Sequence, residues 1–198
     1  MNKKLEELIK KIGDDAVKSD WELAFGGKSY GNRHLYRVNK IAKYLQSKEG
    51  GDLAVVLLGA WIHDVTLSIG SDYDEEKVEK ETRKFLDKYS DLDKDLKEKV
   101  INCAVNHESE SEVNTIEAKI VHDADALDKC GALGIVRHIW KMTNMLENRK
   151  LMGMDDLNKL ETHLRSRQSH LQTETAKKLA LNLNSAGNVF FENKNECL

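Results

Sequence analysis

The sequence predicts an all-α protein, on three observations. Its 198 residues include no proline and only 12 glycines, which argues against a many-turned β-sandwich and for long helices joined by short turns. Apolar residues recur at helical spacing along most of the chain. One segment, Leu53 to Trp61, is apolar at every position except Gly59, so no face is left for water and it reads as a core helix. The chain is long enough for a real core. The expected organisation is one domain, with a helical core over residues 30–145 and a helical extension over 150–198.

In chain order, Leu5, Leu8, Ile9 and Ile12 share one helical face, and Gly13 is a plausible stop. Asp14 to Phe25 follows as a second helix or a continuation, and Gly26 to Asn32 (GGKSYGN) as a loop. Its GKS follows a helix rather than a strand, against a phosphate-binding P-loop. Arg33 to Lys48 is helical, with His34, Val38, Ile41, Ala42 and Leu45 on the core-facing stripe and Arg37 one turn beyond His34. Asp52 is a fair N-cap for the apolar helix, which ends in His63 and Asp64.

Thr66 to Asp74 reads as a polar loop and Glu75 to Tyr89 as an amphipathic helix with a solvated charged face. Leu92 to His107 carries Leu96, Val100, Cys103, Ala104 and His107 on one stripe. After a loop over Ser109 to Thr115, Ile116 to Lys129 places Asp125 and Asp128 on a face shared with Ala118 and Val121. Helix resumes after Gly131 and Gly134. From Glu147 a loop is expected, then a helix starting near Asp155; the basic His163, Arg165, Arg167 and His170 read as a solvated face. A last helix covers Thr173 to Leu183. The tail beyond carries Val189, Phe190 and Phe191, which need the body of the chain or a partner, such as a second copy in a homodimer, to dock on.

A net charge of -3 and a pI near 6.2 give no footprint for duplex nucleic acid. Cys103, Cys130 and Cys197 lack metal-type spacing and suit a reducing compartment. No signal-peptide pattern and no apolar run of about 18 residues is present, so no membrane partner is expected and the location is read as cytoplasmic.

Polar residues that close a buried helix are costly unless something binds them. Imidazole nitrogen and carboxylate oxygen suit a divalent metal, and His34, His63, Asp64 and the aspartates of HDADALD are such donors. Three aspartates in six residues also repel one another without a cation or an arginine nearby.

Read together as H…HD…D, these residues resemble the HD-domain superfamily of metal-dependent phosphohydrolases. The resemblance spans about Arg33 to Trp140, including EAKIVHDADALDKCGALGIVR, and implies an HD-type helical bundle. It implies metal ligands at His34, His63, Asp64 and Asp125, with Mn²⁺, Mg²⁺ or Fe²⁺ as the ion. The expected activity is hydrolysis of a small phosphorylated substrate, a nucleotide first among them, by a metal-activated water. Asp64, His107 and Asp128 are the candidate catalytic groups; Arg37, Lys129 and Arg137 are the candidate phosphate grips. Two departures stand out. Some nucleotidase members carry an acidic residue one turn beyond the doublet, whereas here the first carboxylate is Asp72, and the pattern after Lys150 is degraded. Two other readings are an HD-type di-iron oxygenase, with His107 as an extra ligand, and a non-catalytic helical module binding a nucleotide or a structural ion.

Overall fold

The computed structural model describes residues 1–70, 74–144 and 153–194; Asp72, Cys197 and the loop expected from Glu147 to Met152 lie outside them. The protein is all-α. Its helices are α1 Lys3–Leu23, α2 His34–Glu49, α3 Leu53–Ile62, α4 Glu75–Leu86, α5 Lys94–Asn106, α6 Ile116–Asp128, α7 Gly131–Asn144, α8 Met154–Ser169 and α9 Glu174–Asn193, with 3₁₀ turns at Ala24–Gly27 and Val65–Ile69. They form two compact units, Met1–Asp125 and Ala126–Leu198.

In the first unit α3 is the core helix that its sequence demands, packed by α1, α2 and α5. Asp52 caps it, accepting from the N–H of Ala54 at 2.8 Å and of Val55 at 3.4 Å. Val56, Leu58, Ala60 and Ile62 lose all exposure, with Val56, Leu58 and Ile62 each contributing about 1.5–3 kcal/mol of hydrophobic stabilisation. Gly59 lets α5 and α6 come close, since a Cβ there would lie 2.8 Å from Cys103 Cβ and 3.0 Å from Val121 Cγ2. Gly59→Ala should therefore cost about 1–3 kcal/mol in urea unfolding; an unchanged midpoint would mean that α5 retreats freely.

Gly13 is no stop. α1 runs through it, and its missing side chain makes room for the Trp61 ring, which would lie 2.8 Å from a Cβ. The helix ends instead where Phe25 and Gly26 turn to positive φ, at 53° and 64°.

In the second unit α7 packs on α9 and α8 around Ile135, Leu160, Leu164 and Phe191. α9 does not stop near Leu183 but continues to Asn193. The expected tail is thus its last turns, with Phe191 buried and Val189 and Phe190 exposed. Tertiary contacts hold this polar stretch helical: Asn184 Oδ1 accepts from the Gly131 N–H at 3.3 Å. His163, Arg165 and Arg167 lie along α8. Arg165 donates to Glu161 as part of a solvated face, but the His163 ring packs against His138, with centroids 4.4 Å apart.

Candidate metal centre

Each donor stands at the end of an element or on a buried face. His34 opens α2, and its N–H donates to Asn32 Oδ1 at 3.1 Å, while Trp21 Nε1 donates to Asn32 O at 2.8 Å. The loop before α2 is thereby fixed against α1. His63 caps the C-terminus of α3, Asp64 leads into the following 3₁₀ turn, His107 caps α5, and Asp125 projects from α6. His34, His63, His107 and Asp125 are all at most 2% exposed.

These ends converge. His34 Nε2 lies 3.1 Å from Asp64 Oδ2 and 3.2 Å from Asp125 Oδ1. His63 Nε2 lies 3.4 Å from Asp64 Oδ1, 3.6 Å from Asp125 Oδ1 and 3.3 Å from His34 Nε2. His107 Nε2 stands 3.8 Å from Asp64 Oδ1, and its ring meets the His63 ring edge-on at 5.2 Å.

The backbone assigns the imidazole roles. His63 Nδ1 donates to Ala60 O at 3.0 Å and His107 Nδ1 to Ala104 O at 2.6 Å, so in both neutral rings Nε2 carries the lone pair. Burial works against a charged His63, yet Asp64 and Asp125 outweigh it and raise its pKa. Burial likewise works against an ionised Asp64, but His63 and His34 prevail and hold it well below the usual carboxylate range. His107, under burial and the neighbouring His63, is pushed down and stays neutral.

Such a donor set fits a divalent ion. With bonds of about 2.1 Å, neighbouring ligand atoms sit about 3.0–3.4 Å apart in octahedral or tetrahedral geometry, close to the 3.1–3.6 Å found among the four residues. Donor atoms of His34, His63 and Asp125 all lie within 4.8 Å of one another, a group that could hold a metal ion. Imidazole nitrogens and two carboxylates brought this close in a buried site call for a proton or a cation between them.

The other sequence candidates are Arg37, Asp128, Lys129 and Arg137. Arg37 is half-buried one turn beyond His34. Asp128, Lys129 and Arg137 belong to the second unit, where Asp128 and Lys129 are buried and Arg137 Nη1 donates to Asp128 Oδ2. The sequence reading passed over Asp20, which is 7% exposed and accepts from Ser29 Oγ. The signal was present: Asp20 continues the stripe of Ile9, Ile12, Gly13, Ala16 and Val17.

Known proteins agree with this architecture. The HD domain model matches residues 32–130, half of the chain, and no curated protein matches. Among solved structures, the Lin1889 protein from Listeria innocua is 28% identical over 100% of this chain and 98% of its own, with a TM-score of 0.69. An HD-superfamily hydrolase from Bacillus thuringiensis is 26% identical over 95% of each chain, with a TM-score of 0.70. Bacillus subtilis YpgQ, in a complex with ADP, shares the fold at 22% identity over 96% of each chain and a TM-score of 0.69. With the four donors of the H…HD…D pattern gathered at one buried point and the family model spanning them, the chain belongs to the HD-domain family.

Proposed function

We propose that this protein is a metal-dependent phosphohydrolase that cleaves a phosphoester or phosphoanhydride of a small molecule, a nucleotide first among the candidates. The observation that carries the reading is the convergence of His34, His63, Asp64 and Asp125 within 3.1–3.6 Å in a buried site. Its similarity to the Bacillus thuringiensis HD-superfamily hydrolase supports it.

These four residues would hold a divalent ion, which when bound would supply an acidified water and draw charge from a phosphoryl oxygen. The protein's own part is positional. His34 and His63 present Nε2, while Asp64 and Asp125 bring the negative charge that retains the ion. His107 stays neutral, with Nε2 turned toward Asp64, and steers the attacking water by accepting one of its hydrogens. Arg37, beside His34 on α2, is the proposed grip on phosphate oxygens, since guanidinium binds them bidentately.

The test is metal analysis of the purified protein with a panel of nucleoside mono-, di- and triphosphates, ADP included, and simple phosphomonoesters, assayed with Mn²⁺, Mg²⁺ and Fe²⁺. Release of phosphate or pyrophosphate that stops with chelator and returns with metal is the expected result. A bound ion without turnover on any substrate would favour a binding module. The proximity of His107 to Asp64 makes stoichiometry decisive for the oxygenase reading: one ion per chain excludes a di-iron site, and two irons with no phosphatase activity would replace the hydrolase.

A further inference from the structure

Asp20 stands in the last turn of α1, on the stripe that otherwise buries Ile9, Ile12, Ala16 and Val17. A carboxyl so placed normally meets several donors or a cation. Here the side-chain donor among the described residues is one hydroxyl, Ser29 Oγ, 3.0 Å from each carboxyl oxygen. Asp20 and Asp64 line the same narrow cleft, walled by Leu35 and Trp61 and edged by Ser19 and Ser68. That cleft admits a water centre over about 10 Å³, roughly the room of a single water.

We propose that Asp20 takes up the proton lost by the attacking water, across the one-water cleft that it shares with Asp64. The proposal rests on the hydrolase reading and names a residue for a step which that reading leaves open. No carboxylate lies between Val65 and Gly70, so none follows the His63–Asp64 doublet within its own turn. Asp20 reaches the same place from α1.

In the step, the water oxygen forms a bond to phosphorus and the ester or anhydride P–O bond breaks, its electron pair leaving with the departing oxygen. A water proton passes through the cleft to the Asp20 carboxylate. Asp20 then yields it to bulk water, and the departing oxygen is protonated from solvent.

The charge environment suits an acceptor. Burial raises the Asp20 carboxyl above its usual range, with the Asp64 charge adding to it, against the Ser29 hydroxyl and the His34 and His63 rings, which lower it. The groups facing Asp20 are thus Ser29 from the loop, Asp64 beyond α3, His34 of α2 and His63 at the end of α3. Among the described residues no hydrogen bond or ion pair joins Asp20 to the four metal donors.

Two readouts test the proposal. The first uses Mn²⁺ alone: calorimetric titrations in buffers of different ionisation enthalpy count the protons released on binding. Burial raises the Asp20 carboxyl and a cation at the centre favours its ionised form, so wild type should release more protons than Asp20→Asn on the acidic side of the titration. An identical count for the two proteins overturns the coupling.

The second readout is the pH profile of kcat. Asp20→Asn should bind Mn²⁺ within about twofold of wild type yet lose kcat by about 100-fold or more, the range of a lost proton acceptor. Ser29→Ala keeps the carboxyl but removes the hydroxyl that lowers its pKa, so the acidic limb should move to higher pH. Unaltered kcat in Asp20→Asn, or an unmoved limb in Ser29→Ala, overturns the role. If Asp20→Asn fails to fold, Ser29→Ala and its proton count decide. A wild type that turns over no phosphoester refutes the hydrolase reading and the proton-transfer role with it, while the Mn²⁺ proton count still decides whether Asp20 is coupled to the centre.

Discussion

Asp125→Ala should empty the centre of metal and abolish turnover, while Asp123→Ala two residues earlier should leave the metal in place and lower stability. Asp125 Oδ1 lies 3.2 Å from His34 Nε2 and 3.6 Å from His63 Nε2, so its removal takes a proposed ligand and half of the carboxylate charge from the site. The loss should exceed the 10–100-fold, roughly, that even outer-sphere partners of a metal command. Asp123 is fully buried but lies about 200° round the helix from Asp125, at about 100° per residue. The check is metal content by elemental analysis, kcat, and thermal unfolding on the matched pair. Metal retained by Asp125→Ala and lost from Asp123→Ala would refute the ligand assignment.

That pair of aspartates shows why much of the site was legible in the sequence. His34, His107 and Asp125 each stand on an apolar stripe at a position that helical periodicity turns inward, His63 closes a wholly apolar helix, and the structure buries all four. Asp20 obeys the same rule but sits in a helix rich in charge, where one more carboxylate reads as solvated. Gly13 was misread because a glycine that ends a helix and one that admits a tryptophan ring look alike in one dimension. The length of α9 was hidden for a related reason. Asn182, Asn184 and Gly187 are weak helix formers, and their helicity comes from contacts with α7 and from Phe191 in the core of the second unit. Periodicity reports the face of a residue, not its partner across a turn.

Arg137 is the sharpest instance, and the second large effect follows from it. The sequence offered Arg137 as a phosphate grip and Asp128 as a catalytic group, which predicts that Asp128→Ala keeps metal but loses rate. In the structure Arg137 Nη1 donates to Asp128 Oδ2, with the side chains 17% and 1% exposed. Removing one partner of such a pair leaves a desolvated charge and typically costs about 3–5 kcal/mol. The partial exposure of Arg137 puts Asp128→Ala near the lower end, about 3 kcal/mol. Arg137→Ala should destabilise too, because the Asp128 carboxylate is the more deeply buried of the two. The double variant should cost less than the sum of the singles, with a coupling of about 1–3 kcal/mol. Urea unfolding of the four proteins measures this, and KM for the best substrate measures the competing role. If Arg137→Ala leaves stability unchanged and raises KM about tenfold or more, equivalent to about 1.4 kcal/mol of lost binding, the arginine belongs to the substrate rather than to Asp128.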